Sequence, residues 1–174
     1  MVAHYLRLIL FSVGLLVGIQ VPGFVDQYAK RVSAHHIEVA RNFAGFQDTA
    51  NRYFGGSVAS LVAHHLASTD QAFKDEATSI QTMYDRLTAL AAELAALRGP
   101  LIKQIIHIAF RPNKEILNET RFEYTYTVPL NAPAIVSGIA IGTLLAALVE
   151  ALFVGIVRVV RPRRLRSTAT AHIR

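Results

Sequence analysis

Two apolar stretches near opposite ends of a 174-residue chain constrain its folding more than any other feature. Leu8–Val21 (LILFSVGLLVGIQV) and Ala132–Val157 (APAIVSGIAIGTLLAALVEALFVGIV) enclose a span rich in polar and charged residues. The chain then closes on RVVRPRRLRSTATAHIR. This layout predicts a membrane hairpin with a helical domain between its legs. The expected divisions are 1–22 for a cytoplasmic N-terminus and first span, 23–131 for the outer domain, 132–157 for the second span and 158–174 for a basic tail.

Charge sets the orientation. The formal net charge is +6, yet residues 23–131 carry eleven Lys/Arg against eleven Asp/Glu. Arg7 and six arginines from Arg158 onward, against Glu150 alone, account for the whole excess. Arg-rich short ends stay in the cytoplasm, so both termini are expected inside and the middle outside, in the periplasm of a bacterium whose inner membrane the chain crosses twice. Read this way, the basic balance speaks for lipid as partner and against nucleic acid. Arg161, Arg163, Arg164 and Arg166 would hold this topology and meet anionic headgroups. The chain has no cysteine, which excludes disulfides, thiolate nucleophiles and thiolate metal sites.

The first apolar stretch has the length of a signal-peptide core as well as of a short anchor. Retention is the expectation for three reasons. A helix starting near Ala3 reaches roughly 28 Å at the usual rise, and Arg7 can extend to the interface. The third reason is a match of depth. Gly18 and Gly14 lie four and eight positions inward from Pro22, and Gly138 and Gly142 lie five and nine inward from Pro133. An antiparallel pair sets those glycines level, as close helix packing in lipid requires. The same count puts Arg7 and Glu150 at one depth, which predicts an ion pair, since a carboxylate inside a span is costly alone. Competing readings are a protonated Glu150, or one turned toward Arg158 or Arg161.

Pro22-Gly23 is expected to break the first helix. Beyond it, Val25, Tyr28, Val32, Val39, Phe43, Phe46, Ala50 and Tyr53 fall at helical spacing and mark one face of a long amphipathic helix over Phe24–Phe54, stopped by Gly55-Gly56. Ser57 is placed to cap a short helix bearing Val58, Leu61, Val62 and Leu66. Ser68 and Gln71 stand at capping-box spacing before the stripe Phe73, Ala77, Ile80, Tyr84, Leu87, Leu90, Leu94, Leu97. An antiparallel hairpin of the two long helices, with narrow coiled-coil-like seams, is the expected solution. LIKQIIHIAF (Leu101–Phe110) is apolar on nearly every side, and burial, a membrane surface and a partner all remain open for it. A short helix over Lys114–Arg121 and an extended YTYTV lead into the second span, where Asn131 is a candidate cap. No strand partner is visible, so the fold class is all-α.

The opening YLRLILFSVGLLVGIQVPGFVDQY, the internal NRYFGG and the closing YTYTVPLNAPAI resemble the small proteobacterial inner-membrane proteins of domain of unknown function 2937. The resemblance runs over nearly the whole chain. It implies two spans around a helical middle and supplies no activity, cofactor or catalytic residue.

Chemistry-bearing patterns are sparse. His35-His36 and His64-His65 are adjacent pairs, and neighbouring helical side chains diverge by about 100°, so neither pair chelates alone. A metal site would need His35, His64 and a carboxylate such as Glu38 brought together. The serines sit at caps, and Gly55-Gly56 lacks the Lys-Ser/Thr of a phosphate loop. No enzyme activity and no cofactor are therefore expected. The leading expectation is an accessory or scaffold subunit acting through its outer domain on a protein partner or a second copy. A sensing module with an apolar pocket among Phe43, Phe46, Tyr53, Phe54 and Phe73 is the alternative, and metal handling comes third.

Overall fold

The computed structural model describes residues 2–126 and 131–160. Among these are six helices and no strand. They are α1 (Val2–Tyr53), α2 (Val58–Leu66), α3 (Gln71–Ala96), α4 (Leu101–Phe110), α5 (Lys114–Phe122) and α6 (Ala132–Val160). The chain falls into two compact units, one of Met1–Gln20 with Pro129–Arg174 and the other Val21–Val128.

The predicted break at Pro22-Gly23 does not occur. Pro22 lies inside α1, so one 52-residue helix replaces the expected span and separate amphipathic helix. Proline in a helix interior removes a hydrogen bond and costs about 3 kcal/mol. Burial outweighs that local preference, because Val25, Tyr28 and Val32 enter a core directly after it.

In the first unit, α6 and the start of α1 are long and apolar enough to cross a membrane, with mean hydropathies of 2.1 and 2.2. Only 11% and 22% of those apolar stretches are buried within the molecule, so their apolar surface faces outward instead of filling a protein core. Asn131 caps α6, its Oδ1 accepting from the Ala134 N–H at 3.0 Å.

In the second unit the apolar stripes close into two cores. One gathers Val25, Tyr28 and Val32 from α1, Leu90 from α3, Leu97 just after it, Ile108 from α4, and Ile116 and Leu117 from α5. The other gathers Phe43 and Ala50 from α1, Val58, Leu61 and Val62 from α2, and Ala77 and Ile80 from α3. The middle of α1 thus meets the end of α3 and the end of α1 meets the start of α3, which makes the pair antiparallel. Gly55 and Gly56 turn the chain between α1 and α2 at φ of 58° and 83°, a left-handed region that other residues avoid. Ser57 caps α2 through the Ser60 N–H at 3.2 Å. The cap of α3 is Asp70, whose Oδ1 takes the Ala72 N–H at 2.9 Å. Ser68 instead accepts the Asp70 N–H at 3.2 Å, so the expected Ser68–Gln71 box does not form. Asp70, two residues before Ala72, supplies the cap instead. Tyr53, expected on the apolar face, lies exposed at the end of α1.

Candidate functional site

In the first unit, glycine brings backbone against backbone. A Cβ added at Gly14 would lie 2.9 Å from the Gly142 Cα, and one at Gly18 would lie 2.7 Å from both the Gly138 Cα and the Ser137 carbonyl oxygen. At Gly138 and Gly142 an added Cβ would meet the Leu15 and Phe11 carbonyl oxygens at 3.0 Å. All four glycines therefore sit in one α1–α6 contact. Toward the far end of that pair, Arg7 Nη2 donates to Glu150 Oε1 at 2.6 Å. Exchanging the two charges (Arg7→Glu with Glu150→Arg) should retain the pairing, whereas either change alone sets like charges together. Thermal stability in detergent should fall for both single variants and recover in the exchange; equal losses in all three would refute the pairing.

Ser137 and Gly18 form a further link within this unit that the sequence pattern did not disclose. With no N–H at Pro22, the Gly18 carbonyl has no donor four residues on. The Ser137 hydroxyl supplies one, 2.8 Å from Gly18 O and 3.0 Å from Ala134 O of its own helix. Ser137→Ala should cost about 1–2 kcal/mol. In a Pro22→Ala chain the restored N–H serves Gly18, so the same change should cost much less. A double-mutant cycle of unfolding free energies measures that difference.

In the second unit, two polar networks join α1 to the helices packed on it. Tyr28 is fully buried; its hydroxyl donates to Glu93 Oε1 at 2.6 Å and accepts the Asn113 N–H at 2.9 Å. His107 Nε2 shares the same Glu93 oxygen at 2.8 Å, and the Glu93 side chain is only 10% exposed. Burial first, and the bond to Glu93 second, push the Tyr28 phenol upward, so it stays a neutral donor. The second network lies between α1 and α5. Arg31 bridges Glu119 and Glu123 at 2.7 Å each, and His35 Nε2 meets the other Glu119 oxygen at 2.8 Å. The His35 bond, and then Arg31, hold the Glu119 carboxyl below the usual carboxylate range against opposing partial burial.

A carboxyl lowered in the folded state stabilises above its unfolded pKa of about 4.3, and loses that contribution as pH falls through its folded value. Glu119→Gln should remove this part of the acid limb. Melting temperature followed downward from about pH 6 should fall less steeply in the variant, and parallel curves would contradict the assignment.

The remaining expected positions are dispersed. His35 is engaged by Glu119, while the His64 ring stands 5.3 Å from Phe54 and 6.1 Å from His65. No group of three or more His, Cys, Asp or Glu that could hold a metal occurs among the described residues, so His35, His64 and Glu38 are not gathered into one. Phe43 is buried in the second core with Phe46 and Phe54 packed on it, whereas Tyr53 and Phe73 are exposed, so the five aromatics share no single lining. Arg161, Arg163, Arg164 and Arg166 lie outside the described residues. A groove of about 320 Å³ does open between α2 and α3, walled by Val62, Leu66 and Ala77 with Thr78, Gln81 and Thr82.

The family model for "Protein of unknown function (DUF2937)" matches residues 2–162. The chain belongs to the DUF2937 family. Among curated proteins and among solved structures nothing matches it. The match takes in both apolar helices and the whole helical unit of this DUF2937 chain. Within that unit, the Tyr28–Glu93–His107 set was missed from sequence. The signal was present for two of them: Glu93 beside Leu90 and Leu94, and His107 within LIKQIIHIAF, are polar groups set into apolar stripes.

Proposed function

We propose that the protein is a two-span inner-membrane accessory or scaffold subunit, non-enzymatic, with both termini cytoplasmic and Val21–Val128 periplasmic. In this reading the helical unit engages an amphipathic helix of a partner protein in the α2–α3 groove. The groove carries the proposal: its walls are apolar at Val62, Leu66 and Ala77, Leu66 stands half exposed, and hydroxyl and amide side chains of Thr78, Gln81 and Thr82 border them. Apolar walls beside polar groups suit the helix-in-groove mode of recognition. The arginine-bearing ends and the neutral middle support the orientation.

A photo-crosslinker at Leu66 or Thr82 of the full chain, activated in native membranes, tests the contact. A stoichiometric adduct that survives co-purification in mild detergent is expected. An adduct with a second copy would make the scaffold homo-oligomeric, and a strictly monomeric species free of adducts would overturn the proposal. A single cysteine at Asp75 should be labelled from outside spheroplasts and one at Arg174 should not.

A further inference from the structure

Helix α4 spends its apolar surface on two sides. Ile108 is buried in the first core, with Leu101 and Ile105 packed against it. On the other side Ile102, Ile106 and Phe110, spaced four apart and so within one stripe, are 61%, 52% and 80% exposed. A solvated helix seldom places three large apolar groups in one outward row without something to cover them.

The surrounding charge identifies the cover. From Leu94 to Lys114 the sequence holds no Asp or Glu, but it holds Arg98, Lys103, Arg111 and Lys114. All four are exposed, and among the described residues none has an acidic partner. The two acids that border this stretch are both engaged, Glu93 by Tyr28 and His107 and Glu115 by Arg86 at 2.8 Å. The middle of the chain is neutral as a whole, so this is a local excess. An apolar row flanked by unpaired cations has the composition of a helix lying in a lipid interface, with side chains in the acyl boundary and cations at the headgroups. A second copy would bring the same four cations, and like charges oppose that pairing.

We propose that the Ile102–Ile106–Phe110 face of α4 docks on a bilayer surface carrying anionic headgroups. This rests on the reading that the chain is anchored in a membrane, and it concerns a face separate from the α2–α3 groove.

Because the chain has no cysteine, Ile106→Cys carries a single environment-sensitive fluorophore. The full chain is placed in nanodiscs of equal phosphatidylglycerol and phosphatidylcholine, or of phosphatidylcholine alone, with a nitroxide-labelled lipid as quencher. A probe at exposed Ser79 on α3 is the control. Co-elution of chain and lipid reports anchoring separately, so a failure of anchoring is distinguishable from a failure of docking. The expected result is blue-shifted emission and severalfold stronger quenching at 106 than at 79 in the anionic discs. That quenching should fall severalfold in phosphatidylcholine alone or with Lys103→Glu and Arg111→Glu together. Water-like emission at 106, equal quenching at both positions, or quenching indifferent to lipid charge would overturn the proposal. Disulfide-linked Ile106→Cys dimers without lipid quenching would assign the face to a second copy and overturn it as well.

Discussion

Replacing Gly18 with alanine is expected to force the two apolar helices apart. The new Cβ would stand 2.7 Å from the Gly138 Cα and from the Ser137 carbonyl oxygen, both backbone atoms that cannot rotate aside. Ala is the best helix former and still a poor replacement here, because the cost is one of approach and not of propensity. Overpacking at one such site costs about 1–3 kcal/mol. Gly14→Ala should act alike, since its Cβ would meet the Gly142 Cα at 2.9 Å. By contrast Gly45 and Gly155 have nothing within 4 Å of an added Cβ, so alanine there is the matched control. Disulfide crosslinking between cysteines introduced on α1 and α6, with melting in detergent, reads the outcome. Unchanged crosslinking and melting in Gly18→Ala would show that the close approach contributes nothing to stability.

Removal of the Glu93 carboxylate is expected to be the most damaging single change in the helical unit. Glu93→Leu strips the acceptor from both the Tyr28 hydroxyl and His107 Nε2 and leaves two polar groups in a region where Tyr28 is fully buried. Hydrogen bonds to a charged group contribute about 1.5–3 kcal/mol each, and the stranded partners keep their desolvation cost. A loss of about 3 kcal/mol is the expected size, enough to expose much of a marginally stable unit. Glu93→Gln keeps an acceptor oxygen without the charge and should lose roughly half as much. Tyr28→Phe should fall between, because it also strands the Asn113 N–H that the phenol oxygen accepts. Hydrogen exchange of the full chain, read at amides of α1, α3 and α5, measures all three. Wild-type protection in Glu93→Leu would remove the network from any account of what holds these helices together.

Both predictions turn on contacts between helices far apart in the chain, and this is where the readability of the residues divides. The apolar stripes of α1 and α3 were legible because burial imposes a 3.6-residue period that any amphipathic helix must carry. The caps at Ser57 and Asn131 were legible because they depend on the next three residues alone. Pro22 misled for the complementary reason. Its local rule is sound, but the bond it removes is offset from a helix more than a hundred residues away, where Ser137 donates to Gly18. Ser68 misled on a smaller scale, since two capping residues in succession competed and Asp70 closed the turn.

The residue order alone established that the described elements are helical, which two are apolar enough for a bilayer, and where the glycines stand along them, because propensity, period and depth are properties of a single segment. Which oxygen receives the Ser137 proton, why Glu93 tolerates burial beside Tyr28 and His107, and which side of α4 is left uncovered depended on the packed helices. Those are pairings between segments, and the free energy of a pair is written in neither partner's sequence.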